Sequence, residues 1–159
     1  MPSIARIAVL VPTLLAAVAV AAIAFGGPGE PAPMPSINDP FRKIDYSALP
    51  AASSFHARDG AQLAYRAYAP NGAAKGSVVL VHGSSARGSS MHVLARAFSA
   101  AGYAAYALDI RGHGDSGTKG QIAYIGQLDD DIEDFVRSVQ PARPATLAGF
   151  SSGGGFALR

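Results

Sequence analysis

The apolar positions of this chain fall into one long unbroken run followed by a series of short ones. Residues 7–25 contain no charged side chain. A helix of that length would span about 28 Å, close to the hydrocarbon thickness of a bilayer. The short runs have a different rhythm. Two extended segments within residues 53–69 flank Asp59-Gly60, a dipeptide suited to a tight hairpin turn. Ser77-Val78-Val79-Leu80-Val81-His82 is continuously apolar and rich in β-branched residues, as a strand buried on both faces should be. Met91, Leu94, Ala95 and Phe98 then recur at helical spacing, with Ser89 or Ser90 as cap and Gly102 as terminator. Residues 103–108 predict the next strand. Leu128, Ile132, Phe135, Val136 and Val139 mark one face of a second helix, bounded by Pro141 and Pro144. Ala145-Thr146-Leu147-Ala148-Gly149 predicts a third buried strand. Strands alternating with helices at this spacing imply parallel crossover units and an α/β fold.

The long run admits two readings. A cleaved signal peptide has a shorter apolar stretch and a small-x-small cleavage site, which Ala19-Val20-Ala21 or Ala22-Ile23-Ala24 would supply. The length favours an uncleaved anchor. A buried soluble helix would need partners that are hydrophobic on all sides. Arg6 precedes the run and the first charge after it is Glu30, so the positive-inside bias puts the bulk of the chain on the extracytoplasmic side. Signal cleavage would instead give a secreted or periplasmic protein. The Gly- and Pro-rich stretch that follows, within residues 26–50, reads as a tether to a domain over residues 51–159.

Composition narrows the chemistry. Hydrophobic residues make up 49% and charged residues 15%, with a formal charge of +2. The basic residues are scattered, without a Lys/Arg cluster interleaved with aromatics, so no nucleic-acid partner is expected. There is no cysteine. Disulfides, thiolate metal sites and a cysteine nucleophile are thereby excluded. The four histidines lack ligand-like spacing, so no metal and no cofactor is expected. The run Asp129-Asp130-Asp131 sits at a helix start without a calcium-loop glycine and reads as a solvated face favoured by the helix dipole.

Gly149-Phe150-Ser151-Ser152-Gly153 follows the last predicted strand directly and precedes a stretch that can open a helix. That is the context in which Gly-x-Ser-x-Gly forms a nucleophile elbow. A serine on so sharp a turn needs nearly side-chain-free residues two before and two after it. Gly149 and Gly153 meet that need for Ser151. Were Ser152 the nucleophile, the ring of Phe150 would occupy a position with no room for it. His82-Gly83-Ser84 follows the earlier strand, where a loop can supply a backbone donor to an oxyanion. Donors at Ser84 and Ser152 would then converge at the top of adjacent parallel strands.

Three motifs in order carry a resemblance: Val79-Leu80-Val81-His82-Gly83, then Asp109-Ile110-Arg111-Gly112-His113-Gly114-Asp115-Ser116, then Gly149-Phe150-Ser151-Ser152-Gly153-Gly154. Together they are similar to the α/β-hydrolase superfamily, and most similar to its serine aminopeptidase, lysophospholipase and monoglyceride-lipase-like branch. The similarity covers residues 55–159. It implies a mostly parallel sheet flanked by helices, a Ser–Asp–His triad with Ser151 as nucleophile, and an oxyanion hole made by the amides of Ser84 and Ser152. His82, Gly83, Gly149 and Gly153 would support that site. The implied activity is hydrolysis of esters or amides of small acyl or lipid-like substrates through an acyl-enzyme.

In that family the acid and histidine follow the serine. Here the sequence runs only eight residues beyond Ser151, into the expected helix, with no cap or glycine stop. A partial chain is therefore expected, with little or no hydrolase activity of its own. The alternative is a non-catalytic, membrane-tethered binding module. His82 and His113 lie in motifs whose family role is loop structure, and His56 and His92 read as surface or partly buried polar residues.

Overall fold

The computed structural model describes residues 2–27, 32–34, 36, 44–120 and 122–159. It divides into two compact units, residues 1–39 and 40–159. The first holds helix α1 (Pro2–Phe25), in which Pro12 sits in the interior and the Thr13 hydroxyl donates to the Val9 carbonyl at 2.8 Å. The stretch Arg6–Phe25 is long and apolar enough to cross a membrane by length and composition, and none of it is buried. Residues 28–31, 35 and 37–43 of the Pro/Gly-rich tether lie outside the described residues.

The second unit is a five-stranded sheet built from β1 (Ser53–His56), β2 (Gln62–Tyr68), β3 (Ser77–Val81), β4 (Ala104–Leu108) and β5 (Ala145–Gly149). Its spatial order is β1-β2-β4-β3-β5. The expectation of a mostly parallel sheet needs correction, because the sheet is mixed. β3 pairs in parallel with β4 and β5, whereas β2 runs antiparallel to both β1 and β4. The cause is connection length. Asp59-Gly60 closes β1 onto β2 as a hairpin, with Gly60 at φ +84° and the Ala57 amide bonded to the Ala61 carbonyl at 2.9 Å. The three residues 58–60 between that pair are too few for anything but antiparallel neighbours. The later strands are separated by α2 (His92–Ala100) and α3 (Gln127–Val139), which return the chain in the same direction. A short 3-10 turn (Gly88–Met91) precedes α2, and α4 (Ser152–Ala157) follows β5.

Strand alternation sorts the core into two layers. Val78 and Leu80 pack with Tyr68, Met91, Ala95, Ala105 and Ala107 under α2. Val79 turns to the other face, with Phe55, Leu63, Leu108 and Phe135 under α3. Phe135 is fully buried and meets Phe55, Tyr65 and Tyr106 edge-on at ring separations of 5.5, 5.3 and 5.5 Å. Such a cluster contributes about 0.5–1.5 kcal/mol per pair beyond the burial itself.

Several readings change at this level. β3 is buried along its whole length, as its pattern predicts, but β5 is largely exposed. β5 pairs with β3 alone among the described residues, so only one of its edges is covered. Leu94 and Val136, placed on the apolar helix faces by spacing, are exposed instead. The aspartate run is not a solvated face throughout. Asp131 is buried and receives both Nε and Nη2 of Arg111, at 2.9 and 2.7 Å. One turn on, Asp134 is buried as well and holds the Arg58 amide at 2.7 Å. The guanidinium of Arg58, bonded to it and to Glu133, keeps the Asp134 carboxyl below the usual carboxylate range.

Candidate active site

The parallel pairing of β3 with β5 sets Val81 opposite Gly149, so the loops that leave these strands emerge side by side. The Phe150 amide extends the ladder by one more bond, to the Val81 carbonyl at 3.0 Å. Ser151 then adopts φ 55°, ψ −121°. That conformation costs a residue with a side chain about 1–3 kcal/mol and persists only where its surroundings enforce it. The enforcement is steric. A Cβ on Gly149 would collide with the Gly153 carbonyl, and one on Gly153 would come within 2.5 Å of the Val81 and His82 carbonyls. α4 opens directly afterwards, with the amides of Gly154 and Gly155 on the Ser151 carbonyl at 3.0 and 3.3 Å. The strained residue is Ser151 and not Ser152, in the register that the bulk of Phe150 predicts.

The loop after β3 closes on the same point. Gly83 lies against the elbow so tightly that a Cβ there would be 3.1 Å from Ser151 Cβ. The Ala86 amide turns back to the Gly83 carbonyl, and Ser85 takes a left-handed φ of 57°. Ser84 and Ser152 are both exposed, and their side chains touch: the Ser84 hydroxyl donates to Ser152 Oγ at 3.1 Å. The backbone amides of these two residues have no acceptor among the described residues. Two unused amides beside an exposed serine are what a developing oxyanion requires.

His82 is fully buried between the two loops. Because the Ile110 amide can only donate, Nε2 of His82 accepts it at 3.1 Å, which leaves Nδ1 to donate to the Gly83 carbonyl at 2.7 Å. The ring is thus neutral, in the Nδ1–H form. Burial holds its pKa below the ordinary 6.5, and His113, 5.2 Å away between ring centres, pushes in the same direction. His113 donates through Nδ1 to the Arg111 carbonyl at 3.2 Å. His56 lies exposed on β1, at the opposite edge of the sheet from β5.

His92 departs from the surface reading. As the first residue of α2 it is buried, with Nδ1 3.0 Å from the Tyr68 hydroxyl, and burial lowers its pKa. Among the described residues, no histidine hydrogen-bonds Ser151.

Sequence reasoning also passed over the latch that ties the site loops together. Asp109, buried at the end of β4, accepts the Gly88 amide at 2.5 Å through one carboxylate oxygen and the Asp115 amide at 2.8 Å through the other. Ser116 donates to the Asp109 carbonyl at 2.6 Å and accepts the Ala64 amide at 2.7 Å. Arg111 spans from Asp131 on α3 to Asp59 in the hairpin turn, at 2.9 Å. These residues lie inside the Asp-Ile-Arg-Gly-His-Gly-Asp-Ser motif. Nothing in its spacing reveals that its partners outside the motif are 20, 21 and 52 positions away.

With this geometry, similarity to known proteins is informative. The model of the family described as "Serine aminopeptidase, S33" matches residues 72–159. A monoacylglycerol lipase of Mycolicibacterium smegmatis is 36% identical over 116 residues, covering 69% of this chain and 41% of the lipase. Among solved structures, an esterase from Exiguobacterium antarcticum superposes with a TM-score of 0.58 at 25% identity, over 68% of this chain and 38% of the esterase. Epoxide hydrolase A from Mycobacterium thermoresistibile gives a TM-score of 0.57 at 28% identity, over 69% of this chain and 33% of its own. The chain therefore spans well under half the length of these relatives. They share a fold while their names denote different reactions, so the reaction must be argued from the site. The strand-elbow-helix geometry and the family match agree over the same residues, and the chain belongs to the serine aminopeptidase family of α/β-hydrolases.

Proposed function

We propose that this protein is a serine hydrolase in which Ser151 attacks the acyl carbon of a small ester, amide or lipid-like substrate. The observation that carries this reading is the strained Ser151 backbone, held by Gly149 and Gly153 next to two free amides. Ser151 Oγ would bond to the carbonyl carbon, and the carbonyl oxygen would become an oxyanion received by the Ser84 and Ser152 amides. The leaving group would then depart to give the acyl-enzyme, which water hydrolyses. A preorganised donor of this kind is worth about 3 kcal/mol in the transition state. The Ser151 proton needs an acceptor other than His82, whose two nitrogens are already engaged.

The apolar helix α1 supports a membrane-anchored protein, and Arg6 ahead of it, with no further charge until Glu30, favours the extracytoplasmic side for the catalytic unit. The name of the lipase relative fits a substrate delivered from such a surface.

The test is phosphonylation by a fluorophosphonate, in which Ser151 Oγ bonds to phosphorus and fluoride leaves. Residues 1–159 should label slowly, at the residual rate that oxyanion stabilisation gives without a base. Mass spectrometry should place the adduct on Ser151, and Ser151→Ala should abolish it. Equal labelling of Ser151→Ala, or no label at all, would overturn the nucleophile assignment. Labelling at the rate of a complete triad would contradict the expectation of little activity.

A further inference from the structure

The loop after β3 and the start of α4 are joined at the site by a pair of hydroxyls. Backbone bonding between these segments ends at the Phe150 amide and the Val81 carbonyl. Beyond that point the two chains diverge. Residues 83–86 close a turn on themselves, while residues 151–155 wind into α4. Among the described residues, the one hydrogen bond that joins residue 84 to residue 152 is Ser84 Oγ to Ser152 Oγ, at 3.1 Å.

We propose that Ser84 and Ser152 are positioning residues as well as amide donors, and that the bridge between their hydroxyls sets the spacing of the two amides toward the oxyanion. This inference rests on the nucleophile assignment above and deepens it. The physical case is one of leverage. Ser84 stands at the corner of a turn whose next residue is in a left-handed conformation, so a small rotation there swings the Ser84 amide. Gly83 packs on Ser151 and fixes the base of the turn but not its corner. The hydroxyl bridge fixes the corner. It lies on the exposed surface of the site, so its contribution to fold stability is small, while its effect on donor geometry acts directly on the transition state.

The test measures fluorophosphonate labelling of residues 1–159 and of the variants Ser84→Ala, Ser152→Ala, the double alanine variant and Ser84→Thr. The maximal labelling rate should fall about tenfold in each single alanine variant, a fraction of the loss on deleting a donor outright. The inhibitor concentration at half-maximal rate should stay unchanged, because ground-state binding does not depend on the bridge. The double variant should be no slower than either single one, and Ser84→Thr, which keeps the hydroxyl, should recover the rate. Thermal melts should coincide across the set, since both side chains are exposed.

Ser151-dependent labelling that is unaffected by Ser84→Ala, or single losses that multiply in the double variant, would overturn the bridge and leave the nucleophile standing. Label persisting in Ser151→Ala, or absent from every protein in the set, overturns both.

Discussion

The Ile110 amide donates to Nε2 of His82 at 3.1 Å, so the loop after β4 hangs on the imidazole that ends β3. That bond exists only for the neutral ring. It makes the join between the two site loops sensitive to protons.

Replacing His82 by alanine leaves the Ile110 amide and the Gly83 carbonyl without their ring partner and opens a cavity. Each orphaned group costs about 1–3 kcal/mol. A total loss of about 3 kcal/mol is expected in urea melts. A variant as stable as the parent would show that water or a shifted backbone replaces the ring.

The same ring gives a pH dependence with a definite sign. Its folded-state pKa lies below the ordinary 6.5, so the unfolded chain binds the proton first as pH falls. The stability it contributes is complete above about pH 6.5 and is lost as the pH drops from there through the folded value. His92, also lowered by burial, acts in the same direction. Stability measured between about pH 7.5 and 5 should fall less steeply in His82→Gln than in the parent. Parallel slopes would remove His82 from the account.

Two glycines of α4 should behave oppositely. Gly153→Ala drives a methyl into the Val81 and His82 carbonyls and should destabilise by about 1–3 kcal/mol. Gly155 has open space around its Cβ position, so Gly155→Ala should stabilise by about 0.5–1 kcal/mol through helix propensity. Thermal melts of the two variants check both signs at once.

Asp131 and Asp129 are separated by a single residue and differ in consequence. Asp131→Ala strips the buried Arg111 guanidinium of a two-point partner, at a cost on the order of 3 kcal/mol. Asp129 is exposed, and its loss should stay within about 0.5 kcal/mol. Similar melts for the two alanine variants would contradict the buried pair.

Helix α1 yields a fractionation test. Expressed with residues 1–25, the protein should sediment with membranes and resist carbonate extraction, and its N-terminal sequence should begin ahead of Ala19. A mature N-terminus after Ala21 or Ala24 would identify a cleaved leader instead.

The parts legible from sequence are those whose cause is local. The β-branched run 77–81, the Asp59-Gly60 turn and the elbow glycines each write a steric or periodic demand into adjacent letters. What escaped depends on distant partners. The burial of His92 is decided by Tyr68, that of Asp131 by Arg111, and the exposure of β5 by which strands lie beside it. Spacing placed Leu94 and Val136 on apolar stripes, but the core is only as wide as the sheet beneath each helix.

Gly114 has a further consequence. It has a φ of +54°, and a Cβ there would enter the carboxylate of Asp109. Asp109 in turn needs that closeness to hold the Asp115 amide. Neither position can drift alone: a larger residue at 114 evicts the carboxylate, and a smaller one at 109 strands the amides it serves. For anyone diversifying this scaffold, the two behave as a single genetic unit, to be varied together or left untouched.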